Sequence, residues 1–83
     1  MKITILKFYS KSCTPCKLLT SILKELNIEH QSIDIADEKN DDLVSKYNIR
    51  NVPVLIKVDE QGNEIGKLQG FQGSKIIKEF CDV

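Results

Sequence analysis

The sequence predicts a small α/β domain, a four-stranded mixed sheet flanked by three helices in the order βαβαββα. Three observations carry that prediction. An apolar strand-like run, Ile3-Thr4-Ile5-Leu6-Lys7-Phe8-Tyr9, gives way to Leu18, Leu19, Ile22, Leu23 and Leu26 at helical spacing. Two further apolar runs follow, separated by polar, turn-forming residues. Gln61-Gly62-Asn63 then supplies a short turn between the third strand and a fourth.

After the first strand and helix, Ile28 to Ile35 reads as a second strand, and the helical crossover makes it parallel to the first. Ala36 to Asp42 is polar. A shorter helix fits Asp41 to Tyr47, with Leu43, Val44 and Tyr47 on one face and acids in its first turn, where the helix dipole favours them. Val54 to Val58 is the third strand and Glu64 to Leu68 the fourth, in which Gly66 marks a bulge or a close backbone approach. The last helix carries Ile76, Ile77 and Phe80, with Ser74 as its expected N-cap.

The chain has 83 residues, read as a single domain over 1–83 that buries about 60% of its unfolded surface. It is 41% hydrophobic and 29% charged, the composition of an ordinary globular protein, and no apolar run approaches the roughly 20 residues of a membrane span. Twelve cations balance twelve acids, so nothing recommends nucleic acid or an anionic membrane as a partner. The apolar start is interrupted by Lys7 and has no small-residue cleavage site, so it reads as a strand and not as a signal peptide. The expectation is a monomer in the cytoplasm, where thiols are kept reduced and a cysteine pair is catalytic more often than structural.

That pair is Cys13-Thr14-Pro15-Cys16, at the junction of strand and helix. A free thiol with a pKa of about 8.5 is only a few per cent ionised at neutral pH, and lowering the pKa to about 7 makes it roughly half thiolate. The unpaired N–H groups and dipole of a helix N-terminus favour an anion there. Cys13, at the very start, is assigned as the attacking thiolate, and Cys16, one turn inside, as the resolving thiol. Pro15 suits the first turn because its missing N–H would lack a partner anyway. Lys17 is read as a solvated helix face. Zinc needs four ligands as a rule, and only His30 and the distant Cys81 remain to help, so no metal site is assigned.

A second motif, Tyr47-Asn48-Ile49-Arg50-Asn51-Val52-Pro53 running into an apolar strand, resembles the segment that contains the cis-proline of thioredoxins. Together with Cys13-Thr14-Pro15-Cys16, it identifies the chain as similar to the thioredoxin superfamily over nearly its whole length, at the size of a glutaredoxin or a small redoxin. The resemblance implies a thioredoxin fold, a redox-active Cys13–Cys16 disulfide with no bound cofactor, and a cis Val52-Pro53 bond beside the dithiol. A substrate peptide would then lie as an added strand against Val52 and Pro53, near Ser12 and Thr14. Gly70 and Phe71 resemble the third loop of that groove, although Phe71 also reads as core. The implied activity is that of a thioredoxin-like protein-disulfide reductase, a dithiol electron carrier supplied by a thioredoxin-reductase-type flavoprotein or by glutathione.

The chain departs from the pattern in places that bear on subfamily. Ser12 stands where thioredoxins usually carry Trp. Lys7 occupies the position of the buried acid on the first strand, and the family's partner lysine falls near Asp34. Two readings of Lys7 and Asp34 stand open: a charge-swapped pair serving the proton traffic of Cys16, or two side chains pointing to solvent. Tyr9-Ser10-Lys11-Ser12 looks more like glutaredoxin, but Gly70-Phe71-Gln72-Gly73-Ser74 does not reproduce the glutathione-carboxylate loop, and Pro15 before the second cysteine leans toward thioredoxin. The alternatives are a glutathione-linked reductase, a redoxin donating electrons to ribonucleotide reductase, and a binding module with an idle dithiol. Cys81 is expected to pack as a small apolar residue, and His30 to lie at the surface.

Overall fold

The computed structural model describes residues 2–82. Its elements are β1 (Thr4–Tyr9), α1 (Thr14–Glu25), β2 (Gln31–Asp34), a 3₁₀ turn (Glu38–Asn40), α2 (Asp41–Lys46), β3 (Val54–Val58), β4 (Glu64–Gln69) and α3 (Ser74–Cys81). The strands pair in the order β2-β1-β3-β4, with β1 and β2 parallel and the other pairs antiparallel. This is the mixed sheet with three helices expected from the sequence, in the thioredoxin arrangement.

Alternation along the strands sorts side chains to two faces. On one, Leu6, Phe8, Ile33, Val54, Ile56 and Val58 pack with Tyr47 and Ile49, and Leu43 and Val44 of α2 cover them. Phe8 meets Tyr47 edge-on at 6.1 Å between ring centroids, a geometry worth about 0.5–1.5 kcal/mol beyond area burial. On the other face, Ile5 and Leu55 pack against Leu19 and Leu23 of α1 and Ile77 of α3. Full burial of side chains such as Leu23 or Ile77 contributes about 1.5–3 kcal/mol each.

Both α1 and α2 end in the same way. Asn27 and Asn48 take positive φ, 55° and 53°, just past the helices. After α1, Asn27 N–H donates to Lys24 and Ile28 N–H to Leu23; after α2, Asn48 N–H donates to Ser45 and Ile49 N–H to Val44. These are Schellman ends, with asparagine where glycine is commoner. They explain why β2 starts at Gln31 and not at Ile28 as expected: the Ile28 N–H is committed to terminating α1.

Two further expectations are amended. The N-cap of α3 is Gly73, whose carbonyl accepts from Ile77 N–H at 3.1 Å, so Ser74 is already helical and its hydroxyl caps nothing. At Gly66 both alternatives hold. Lys57 pairs with Gly66 and Val58 with Glu64, leaving Ile65 as the extra residue of a bulge. A β-carbon on Gly66 would also stand 2.8 Å from Lys57 Cε and 3.3 Å from Phe80 Cε1.

The register gathers the sequence motifs at one end of the sheet. Phe8 at the end of β1 faces Val54 at the start of β3, which faces Gln69 at the end of β4. The loop carrying Ser12 and Cys13, the Val52-Pro53 segment and the Gly70-Phe71 loop therefore all leave the sheet at that end.

Candidate functional site

Cys13 and Cys16 are joined as a disulfide across 5.2 Å between their Cα atoms. Cys13 is the N-cap of α1, extended at φ −89° and ψ 105°, and its carbonyl accepts the first helical bond from Lys17 N–H at 3.3 Å. Its sulfur takes the place of the usual capping oxygen, accepting the Cys16 N–H at 3.1 Å. An anion forming on that sulfur is met by a donor already aimed at it and by the positive end of the helix. Pro15 lies in the first turn, where no N–H is required of it.

The two sulfurs differ in access. Cys13 is half-buried, with Ser12, Thr14 and Pro15 around it exposed, whereas Cys16 is only 2% exposed. An incoming disulfide therefore reaches Cys13 first.

The Val52-Pro53 bond is cis. Pro53 is buried and its carbonyl accepts from Gly70 N–H at 2.8 Å, which ties the segment to the loop after β4. Gly70 holds φ at +76°, a value that favours glycine. Phe71 is 41% exposed, so of its two readings the core one is excluded. Val52 is half-buried against the Leu6–Phe8 core.

Lys7 is the largest surprise. It lies on the α1 face of the sheet between Ile5 and Tyr9 and is only 4% exposed. Its Nζ donates to Thr20 Oγ1 at 2.6 Å and sits 5.3 Å from the centroid of the Tyr9 ring. Burial lowers its pKa below the ordinary 10.5, because the charged form loses hydration.

The charge-swapped pair with Asp34 does not form. Among the described residues the one ion pair is Lys39–Asp37. The register gives the reason: Ser32 lies opposite Lys7, and Asp34 lies two pairs further on, opposite Tyr9. The Asp34 carboxylate turns instead to Ala36 N–H at 2.9 Å. The solvent reading fails for Lys7 as well, since its side chain is inside.

Thr20 was not singled out by sequence reasoning. Its hydroxyl accepts from Lys7 and donates to the Cys16 carbonyl at 3.0 Å, an i to i−4 bond along α1. The available signal was its place four residues after Cys16, on the same helix face. Lys7, Tyr9, Ser10, Lys11, Cys16, Lys17, Thr20 and Ser32 together line an open depression of about 420 Å³ behind the dithiol. Cys81 is half-buried against the Ile5–Leu19 core, and that burial raises its thiol pKa. His30 is half-buried, with Nδ1 3.0 Å from the Ile28 carbonyl. No group of three or more His, Cys, Asp or Glu side chains converges among the described residues.

The family model described as thioredoxin matches residues 1–82. The chain is 26% identical over 72 residues to the SPbeta prophage-derived thioredoxin-like protein YosR of Bacillus subtilis, covering 87% of this chain and 88% of that protein. It is 26% identical over 84 residues to a thioredoxin of Staphylococcus aureus, covering 96% and 80%. Among solved structures, mitochondrial thioredoxin 3 of Saccharomyces cerevisiae in its oxidised form superposes with a TM-score of 0.77 at 21% identity, covering 98% of this chain and 78% of that one. The thioredoxin of Malassezia sympodialis gives 0.78 at 17% identity, covering 95% and 72%. At such identities these structures speak for the fold alone.

Proposed function

Because this chain belongs to the thioredoxin family and carries a Cys-x-x-Cys disulfide, the equipment of a thiol–disulfide oxidoreductase, we propose that it is a protein-disulfide reductase. The observation that supports this reading best is the unequal access of the two sulfurs at the start of α1. In the reduced protein, Cys13 as a thiolate attacks one sulfur of a substrate disulfide, forming a mixed disulfide and releasing the other substrate sulfur as a thiolate that takes up a proton. Cys16 then loses its proton and attacks Cys13 Sγ. The Cys13–Cys16 bond forms as the bond to the substrate breaks, so the pair gives up two electrons and the substrate leaves as a dithiol.

Substrate selection is assigned to the surface around Cys13. Ser12 and Thr14 flank the sulfur, while Val52, Pro53, Gly70 and Phe71 lie at the same end of the sheet. A strand-like peptide reading the Val52 backbone would give broad acceptance of protein disulfides. The electrons come from a thioredoxin-reductase-type flavoprotein, and the protein works as a cytoplasmic monomer without a bound cofactor.

The test is trapping. Cys16→Ser should accumulate a mixed disulfide with a model disulfide protein, Cys13→Ser should accumulate none, and both should lose turnover. Equal trapping by the two variants would refute the assignment of roles. A potential near the value of about −270 mV typical of thioredoxins supports a flavoprotein donor, whereas one of about −200 mV points to glutathione.

A further inference from the structure

Lys7 is the one charged residue among the buried side chains of the described chain. An ammonium has three donors, and the structure uses one of them, on the Thr20 hydroxyl. Thr20 in turn holds the carbonyl of Cys16, so the cation is tied through a single side chain to the turn that carries the resolving thiol.

The surroundings leave that charge uncompensated. From β1 comes the Tyr9 ring. From the loop and α1 come Lys11 and Lys17, which line the depression with Lys7 and Cys16. From β2 comes Ser32, with Asp34 two pairs further along and turned to Ala36 N–H. From β3 comes Leu55, opposite Lys7, flanked along its strand by Lys57, whose Nζ lies over Phe80; from α3 comes Ile77. Every charged side chain lining the depression is a cation, and Cys16 and Lys7 both lie in its wall.

We propose that Lys7 is a positioning residue for the resolving step, a fixed cation behind Cys16 that stabilises the Cys16 thiolate while Cys13 is bound to substrate. The proposal rests on Cys16 being the resolving thiol. The Cys16 proton leaves to water in the depression, the thiolate electron pair closes the bond to Cys13 Sγ, and the departing substrate thiolate takes a proton from solvent. Lys7 keeps its own proton throughout. It is not a relay: its effect is to raise the fraction of Cys16 present as thiolate at a given pH.

The experiment titrates Cys16 alone, by thiolate ultraviolet absorbance, in a Cys13→Ser/Cys81→Ser background with and without Lys7→Met. The expected result is an upward shift of the Cys16 midpoint by about one pH unit, the lower end of the range for loss of a nearby opposite charge. Thr20→Val, which keeps the charge and removes its anchor, should shift the midpoint in the same direction by less. Linkage demands the reciprocal effect, so the Lys7 ammonium, followed by NMR in the unmutated chain, must titrate at higher pH in the reduced protein than in the disulfide form. An unchanged Cys16 midpoint, or a Lys7 titration indifferent to redox state, overturns the proposal. The NMR arm decides the question even where Lys7→Met does not fold. Because neither readout involves a substrate, failure of the reductase reading and failure of this one remain separate.

Discussion

Replacing Lys7 by methionine should make the oxidised protein more stable at neutral pH. Taking an ammonium out of water costs several kcal/mol even after the protein relaxes. Against that, Lys7 has one hydrogen bond from a charged donor, worth about 1.5–3 kcal/mol. Its placement by the Tyr9 ring adds about 0.5–2 kcal/mol. Methionine has similar length and carries no charge, and Thr20 retains its bond to the Cys16 carbonyl, so no polar group is stranded. The net gain is about 1 kcal/mol, a rise in Tm of about 4–8 °C for a domain of this size. Its pH dependence has a definite sign. Burial lowers the folded-state pKa of Lys7 below 10.5, so between that lowered value and 10.5 the unfolded chain binds more protons than the folded one. The penalty carried by the wild type is complete below the folded pKa and is relieved as pH rises through it. Denaturant unfolding of both proteins, from pH 7 to pH 11 and without reductant, should show the advantage of Lys7→Met narrowing toward the alkaline end. A lower Tm for the variant at pH 7, or a difference that does not change with pH, would refute the reasoning.

Four further outcomes follow from the geometry. Tyr47→Phe removes the hydroxyl that donates to the Gly62 carbonyl at 2.6 Å, linking α2 to the β3–β4 turn, and should cost about 0.5–1.5 kcal/mol in urea unfolding. Gly66→Ala should be nearly neutral. The flexible Lys57 end gives way with a loss of about 0.5–1 kcal/mol of cation–π contact, offset by about 0.4–1 kcal/mol of reduced unfolded-state entropy. Gly66→Val presses further toward Phe80 and should cost about 1–3 kcal/mol. Asp59 accepts from Gln61 and Asn63 N–H, and these bonds, led by that from Asn63, lower its pKa below 3.8. Its contribution is present above the unfolded value and lost as pH falls through the folded one, so Asp59→Asn should flatten the acid limb of the stability curve without steepening it.

The strands, the helices and the dithiol were legible because each is encoded locally. Ile3 to Tyr9 is a continuous apolar run, Leu19 and Leu23 recur at helical spacing, and the two cysteines are adjacent turns of one motif. The misreadings came from bonds that cross elements. Ile28 has strand propensity, but its N–H belongs to the end of α1. Ser74 is a good capping residue one position too late, since Gly73 takes the cap. The fate of Lys7 depends on long-range placement: the register sets Ser32 opposite it and Asp34 two pairs away, and the ammonium finds Thr20 of α1 instead. Cys16 and Thr20 share a helix face, but the ammonium that Thr20 meets comes from β1, a contact that the local sequence does not carry.

The two faces of the sheet are clad unequally, and that bears on how the molecule opens. The α2 face holds eight buried apolar residues, including Phe8 and Tyr47, with no charge among them. The α1 and α3 face holds five, and a lysine interrupts the row on β1. Cohesion of this kind sets the free energy of sub-global unfolding, so the layer carrying the dithiol should open more readily than the central strands β1 and β3, which are covered on both faces. Amide hydrogen exchange would show this as weaker protection along α1 than in the central strands. A helix on the looser side can shift slightly around its two sulfurs as they open and close, while the sheet that fixes Pro53 stays in place.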